Sequence, residues 1–100
     1  MKKILIIGAG AMGSAFSLPC TENNNKVTLI GTHLESKLIK KLKNNRYHSI
    51  LKSHLPKRLN ILDYKFLKTE LKKNYNYVVI AVSSKGIDWV TQELANNYNK

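Results

Sequence analysis

The sequence predicts an α/β fold in which a parallel sheet is covered by helices on both faces. Three observations carry this expectation. Ile4-Leu5-Ile6-Ile7 and Tyr77-Val78-Val79-Ile80-Ala81-Val82 are continuous apolar runs; strands buried on both faces show such runs rather than an apolar–polar alternation. Segments with apolar residues at helical spacing stand between the apolar runs. Gly8, Gly10 and Gly13 follow directly on the first run, where a chain turning from strand into helix needs them.

The first strand is Ile4–Ile7, and a helix opens inside the glycine motif, with Ala11, Met12, Ala15, Phe16 and Leu18 suited to it. Pro19 lacks an N–H and clashes with the preceding turn, so a kink or an early end is expected near it. Asn23–Asn25 turn the chain, and Val27–Ile30 forms the second strand of a βαβ unit. Leu34, Leu38, Ile39 and Leu42 predict an amphipathic helix from about Leu34 to Asn45. Tyr47–Arg58 gives no clear pattern. Leu59–Leu62 reads as a third strand, Asp63 as the cap of a helix burying Phe66, Leu67 and Leu71, and Tyr77–Val82 as the fourth strand. Ser84 is the expected N-cap of a last helix marked by Ile87, Val90 and Leu94. Right-handed crossovers then give a strand order of 3-2-1-4.

Within this frame each glycine has a task. Gly8 permits the tight turn, Gly10 lets the backbone approach a pyrophosphate, and Gly13 lets the helix pack closely on the strand. The helix N-terminus offers free N–H groups and about half a positive charge to phosphates. The pattern predicts a Rossmann-type dinucleotide site, at the carboxyl ends of the strands where the order reverses. Ser83 lies in the loop expected near the nicotinamide ribose. At the end of the second strand, Ile30-Gly31-Thr32-His33 carries no acid to hold a ribose 2′-hydroxyl, the first carboxylate being Glu35. Thr32 and His33 are the candidate contacts there, with Lys37 nearby. The expected cofactor is NADP or NAD, leaning towards NADPH.

Other function classes fit less well. Lys2, Lys3, an apolar run and Cys20 suggest a secretory signal, but Ser17-Leu18-Pro19-Cys20 lacks a small residue beside the cysteine and three glycines interrupt the run. No apolar stretch reaches the roughly 18 residues of a membrane span. The 100 residues suit one domain, and a single cysteine forms no internal disulfide, so a cytoplasmic location is expected. The net charge of +11 raises nucleic-acid binding. Its lysines are dispersed and no aromatic platform accompanies them, so a solvated basic surface is the expectation. His33, His48 and His54 show no metal-ligand spacing. Cys20 reads as a packed small residue.

The motifs G-A-G-A-M-G-S-A at 8–15, V-T-L-I-G-T at 27–32, Asn45-Arg46-Tyr47-His48 with Leu55-Pro56, and A-V-S-S at 81–84 resemble the N-terminal part of NAD(P)-dependent sn-glycerol-3-phosphate dehydrogenases. The resemblance implies reduction of dihydroxyacetone phosphate to sn-glycerol 3-phosphate, feeding glycerophospholipid synthesis. It carries cofactor contacts to Ala11 and Met12. It also implies that the catalytic lysine and substrate-phosphate ligands belong to a following helical domain absent from residues 1–100, so no catalytic residue is assigned here. Lys85-Gly86 follows the fourth strand, one strand earlier than the family's Lys-Gly pair. The chain is therefore expected to be an incomplete dinucleotide-binding domain, truncated before the fifth strand, with an open apolar edge. A homodimer is one expected assembly, and a partner chain that supplies the missing domain is the other. A ketopantoate-reductase-like 2-oxoacid reductase shares the opening motif, and a free-standing NAD(P)-sensing domain would need no catalytic half.

Overall fold

Strand β1 (Lys3–Ile7) lies inside the sheet, and every residue after Lys3 is buried. The computed structural model describes residues 1–97. After β1 come α1 (Ala11–Glu22), β2 (Lys26–Ile30), α2 (Ser36–Asn45), β3 (Tyr47–His48), β4 (Ser53–His54) and β5 (Asn60–Leu62). A 3-10 turn (Tyr64–Phe66), α3 (Leu67–Glu70), β6 (Tyr77–Ile80) and α4 (Ser84–Asn97) complete the described chain. The main sheet runs β5-β2-β1-β6, all parallel, which is the expected 3-2-1-4 order once β3 and β4 are set aside as a separate antiparallel pair.

Alternation along β1 divides the core in two. Ile4 and Ile6 point to one face, with Val27, Leu29, Ile39, Leu42, Leu55, Leu59 and Ile61. Leu5 and Ile7 point to the other, with Ile30, Leu67, Leu71 and Val90. Cys20 is partly buried against the first cluster, and burial pushes its thiol pKa up, away from the reactive thiolate. Strand β6 pairs with β1 on one side only, and Tyr77 and Ile80 on it are exposed.

The structure corrects several boundaries and faces. Helix α1 does not end early: it passes Pro19 and runs to Glu22. Pro19 and Ala15, whose carbonyl loses its donor, are both on the exposed side, where water can replace the missing bond. Met12 is 73% and Phe16 43% exposed; the buried face is Gly13, Ser14, Ser17 and Thr21. Close packing on the sheet leaves room only for small side chains. Their hydroxyls bond back to main chain: Ser14 to Ala9 O at 2.8 Å, Ser17 to Ser14 O at 2.6 Å and Thr21 to Ser17 O at 2.7 Å.

Helix α2 begins at Ser36, leaving Leu34 outside it and 58% exposed. Asp63 accepts the Tyr64 N–H at 2.6 Å as a cap, but the segment it caps is a 3-10 turn and one α-turn, and Phe66 is 47% exposed while Leu67 and Leu71 are buried. Strand β6 stops at Ile80 rather than Val82, because β1 turns away at Gly8 and only the Ala81 N–H still reaches Ile7 O, at 2.8 Å. Ser84 is the first residue of α4, so the preceding cap position falls on Ser83. The unreadable stretch after α2 is held by long-range bonds. Arg46, left-handed at φ 62°, donates to Pro56 O at 2.7 Å and Leu59 O at 2.6 Å, and Arg58 donates to Thr21 O at 2.6 Å.

At the amino ends of the strands, the Tyr75 hydroxyl donates to buried Glu70 at 2.6 Å and lies 3.0 Å from Thr28 Oγ1, while Lys73 pairs with Glu70 at 2.7 Å. Burial first, then the bond to Glu70, pushes the Tyr75 pKa up to about 12 from its usual 10. The folded state thus holds this proton more tightly than the unfolded one. The stabilisation is complete below about pH 10 and is lost as pH rises towards 12. Urea unfolding between pH 8 and 12 is expected to show this decline, and Tyr75→Phe to flatten it.

Candidate dinucleotide site

The site forms where β1 gives way to α1. Gly8 has φ +115°, and a Cβ there would run into the Ala81 carbonyl, so the β1 turn and the chain leaving β6 touch backbone to backbone. A Cβ on Gly13 would overlap the Gly8 carbonyl. Both glycines are therefore demanded by the chain's own packing. Gly10 is different. Its φ is −68°, which any residue adopts, and the nearest atom to an added Cβ is Glu35 Oε2 at 3.7 Å. Nothing in the described protein requires a glycine at that position; it leaves open space in front of the helix.

That space faces the N-terminus of α1. No side chain caps the helix and no acid stands in its first turn. Ala11, Met12 and Gly13 form that turn, where backbone N–H groups have no intrahelical acceptor. The site combines an open glycine with an uncapped, twelve-residue helix dipole.

Three segments fix the Ala9 peptide behind it. Its N–H donates to Glu35 Oε1 at 3.0 Å. Its carbonyl accepts from Ser14 Oγ at 2.8 Å and from His48 Nε2 at 3.1 Å. The His48 ring is fully buried, and its Nδ1 accepts the Leu51 N–H at 3.4 Å, so the proton belongs on Nε2. Neither Glu35 nor His48 was singled out as a site residue from sequence. For Glu35 the signal was present: Thr32-x-x-Glu35 has capping-box spacing, and Glu35 Oε1 does reach back to the Thr32 N–H, at 2.9 Å. Residues 30–33 themselves carry no acid, as read from the sequence. The capping turn brings a carboxylate from three residues further on. For His48 no local signal exists, since its partners are distant in sequence.

The remaining candidates lie around the same crevice. Thr32 is buried, and its hydroxyl accepts the Leu34 N–H at 3.3 Å. His33 is exposed, with its ring centroid 5.2 Å from that of Trp89 on α4. Ser83 is exposed beside the start of α4, and its carbonyl accepts the Gly86 N–H at 2.9 Å. Among the described residues, no group of three or more His, Cys, Asp or Glu side chains could hold a metal ion. None of the described helices is long and apolar enough to cross a membrane. Lys37, Lys40, Lys41 and Lys43 form an exposed basic face on α2.

Fold and site together define the dinucleotide-binding class of α/β domains. The chain belongs to the family described as NAD-dependent glycerol-3-phosphate dehydrogenase N-terminus, which matches residues 3–100. It is 34% identical over 87 residues to the NADP(+)-dependent glycerol-3-phosphate dehydrogenase of Archaeoglobus fulgidus, covering 84% of this chain and 24% of that protein. The chain thus spans about a quarter of the length of the curated relative it matches. Its fold superposes on the crystal structure of glycerol-3-phosphate dehydrogenase from Coxiella burnetii with a TM-score of 0.82 at 21% identity, over 99% of this chain and 30% of that one. A D-mandelate dehydrogenase solved with NADH and anilino(oxo)acetate shares the fold with a TM-score of 0.68 at 22% identity, over 98% of this chain and 30% of that one.

The two kinds of glycine separate in stability measurements. Gly13→Ala is expected to cost about 1–3 kcal/mol in urea unfolding, because backbone must move to admit the methyl group. Gly10→Ser is expected to change stability by less than about 0.5 kcal/mol, since serine is at least as good an N-cap as glycine.

Proposed function

We propose that this chain binds a nicotinamide dinucleotide, NADP or NAD, and forms the cofactor-holding part of an enzyme that reduces dihydroxyacetone phosphate to sn-glycerol 3-phosphate, in the service of glycerophospholipid synthesis. The observation that carries the proposal is Gly10: an unstrained glycine whose missing side chain opens space directly before an uncapped helix N-terminus. A pyrophosphate fits that space by chemistry as well as room, being an anion met by free N–H groups and a positive dipole end. Family membership supports the same reading, as does the description of the Archaeoglobus fulgidus relative as a glycerol-3-phosphate dehydrogenase.

In this proposal Gly8, Gly10, Ala11, Met12 and Gly13 line the pyrophosphate turn, with Gly8 and Gly13 acting through packing. Thr32 and His33 border the adenosine ribose, and Ser83 the nicotinamide ribose. The cofactor, when bound, supplies or accepts hydride; the chain's own residues orient it and fix the turn beneath it. The triose phosphate is held by residues outside the described chain, contributed by a further domain or a partner chain. No described residue is assigned to catalysis.

Calorimetric titration of the 100-residue chain with NADH and NADPH tests the proposal. Saturable binding of at least one is expected, and Gly10→Asp is expected to abolish it while leaving the fold intact. Aspartate suits the N-cap geometry but sets a carboxylate against the pyrophosphate. Undiminished binding by Gly10→Asp would refute this location of the site.

A further inference from the structure

We propose that a polar pocket at the amino ends of the strands, the end of the sheet away from the glycine turn, binds a doubly charged phosphate: inorganic phosphate or the phosphate group of a small monoester. The pocket holds about 170 Å³, space for several water molecules at about 30 Å³ each. Lys3 and Lys26 line it as the first residues of β1 and β2, and they are partners in the parallel register. Paired residues on strands about 4.8 Å apart send their side chains to the same face of the sheet. Alternation along β2 puts Thr28 on that face too, beside Asn60, the first residue of β5.

Two like charges directly opposite one another on neighbouring strands are unfavourable unless a counter-charge joins them. Among the described residues, the carboxylate that lines this pocket is Glu70, and both of its oxygens are engaged. Oε1 accepts the Tyr75 hydroxyl at 2.6 Å, and Oε2 pairs with Lys73 at 2.7 Å. Three lysines against one glutamate leave the pocket with a net charge of +2, which a phosphate dianion matches. Neutral donors stand beside the lysines. Asn60 gives one N–H to Thr28 Oγ1 at 3.5 Å and keeps a second, and the Asn74 amide carries two more.

A solvated pair of lysines accounts for the charge but not for what lies beneath it. Thr28 and Glu70 are each only 4% exposed, and the Tyr75 hydroxyl bridges them, 3.0 Å from Thr28 Oγ1. The floor of the pocket is thus a fixed polar set whose members satisfy one another, and Lys3 and Lys26 are the charges left over. The lysines of α2 differ. Lys37, Lys40, Lys41 and Lys43 come from one helix and, among the described residues, line a groove with no buried polar side chain in its walls.

The test is a titration of the isotope-labelled 100-residue chain with inorganic phosphate and, separately, with methyl phosphate, followed by amide chemical shifts. Ionic strength is held constant with sodium chloride, at about pH 8, where both ligands are dianions. Saturable shifts are expected at 3, 26–28, 60 and 70–75, with half-saturation at about 1 mM or below. Lys26→Gln is expected to weaken binding at least about tenfold, the worth of one charge-assisted bond, and Lys40→Gln on α2 to leave it within about twofold. Both lysines are exposed, and far-UV circular dichroism confirms that each variant folds. Binding of either ligand at the pocket supports the proposal, and the tighter of the two identifies the source of the phosphate. Shifts at 8–13 as well support it if Lys26→Gln removes only those at the pocket. Shifts confined to 8–13 would overturn it, placing phosphate at the head of α1 instead. Equal weakening by the two substitutions would overturn it too, reducing the pocket to part of a general basic surface, and so would a failure of both ligands to saturate.

Discussion

The carboxyl end of the sheet depends on one backbone contact. Helix α1 approaches the turn after β1 so closely that Gly13 lies against the Gly8 carbonyl. That approach decides which residues α1 can bury. Bulky side chains cannot enter the interface, so Gly13, Ser14, Ser17 and Thr21 take it and Met12 and Phe16 are turned outward. The small polar residues bring hydroxyls into a dry interface, and each is satisfied by a main-chain carbonyl. Pro19 survives within the helix because the exposed side is free to hydrate.

The same contact leaves the Ala9 peptide buried between strand and helix, and a buried peptide needs partners on both sides. Glu35 takes its N–H; Ser14 and His48 reach its carbonyl. The turn is thereby fixed from α1, from the segment leading into α2, and from the irregular stretch after it. This explains why so much polar chain is ordered between α2 and β5, with strands of only two residues. Arg46 and Arg58 hold the stretch by bonding distant carbonyls, and the stretch in turn delivers His48 to the turn. A rigid turn keeps the N–H groups at the head of α1 aimed at one point, which is what recognition of a pyrophosphate requires.

The strands and their order were legible because parallel strands announce themselves as apolar runs, and because a glycine turn between strand and helix has few uses. Faces and boundaries were less legible. Phe66 and Leu34 match a helical stripe in spacing, but the helix after Asp63 is too short to bury the first and α2 starts too late to include the second. Met12 and Phe16 are apolar and suit a helix, yet hydrophobicity says nothing of how near that helix approaches the sheet. Glu35 was visible as a carboxylate and hidden as a site residue, since its reach to Ala9 depends on how two turns come together. His48 had no local signal, since its bond to Ala9 joins segments 39 residues apart.

The central claim is that the opening in front of α1 is a nucleotide site, and amide chemical shifts test it residue by residue. In a titration of the isotope-labelled chain with NADH, the account predicts the largest shifts at 8–13, 31–35 and 81–84, around one crevice. Shifts confined to the lysine face of α2, or spread evenly over the surface, would contradict it.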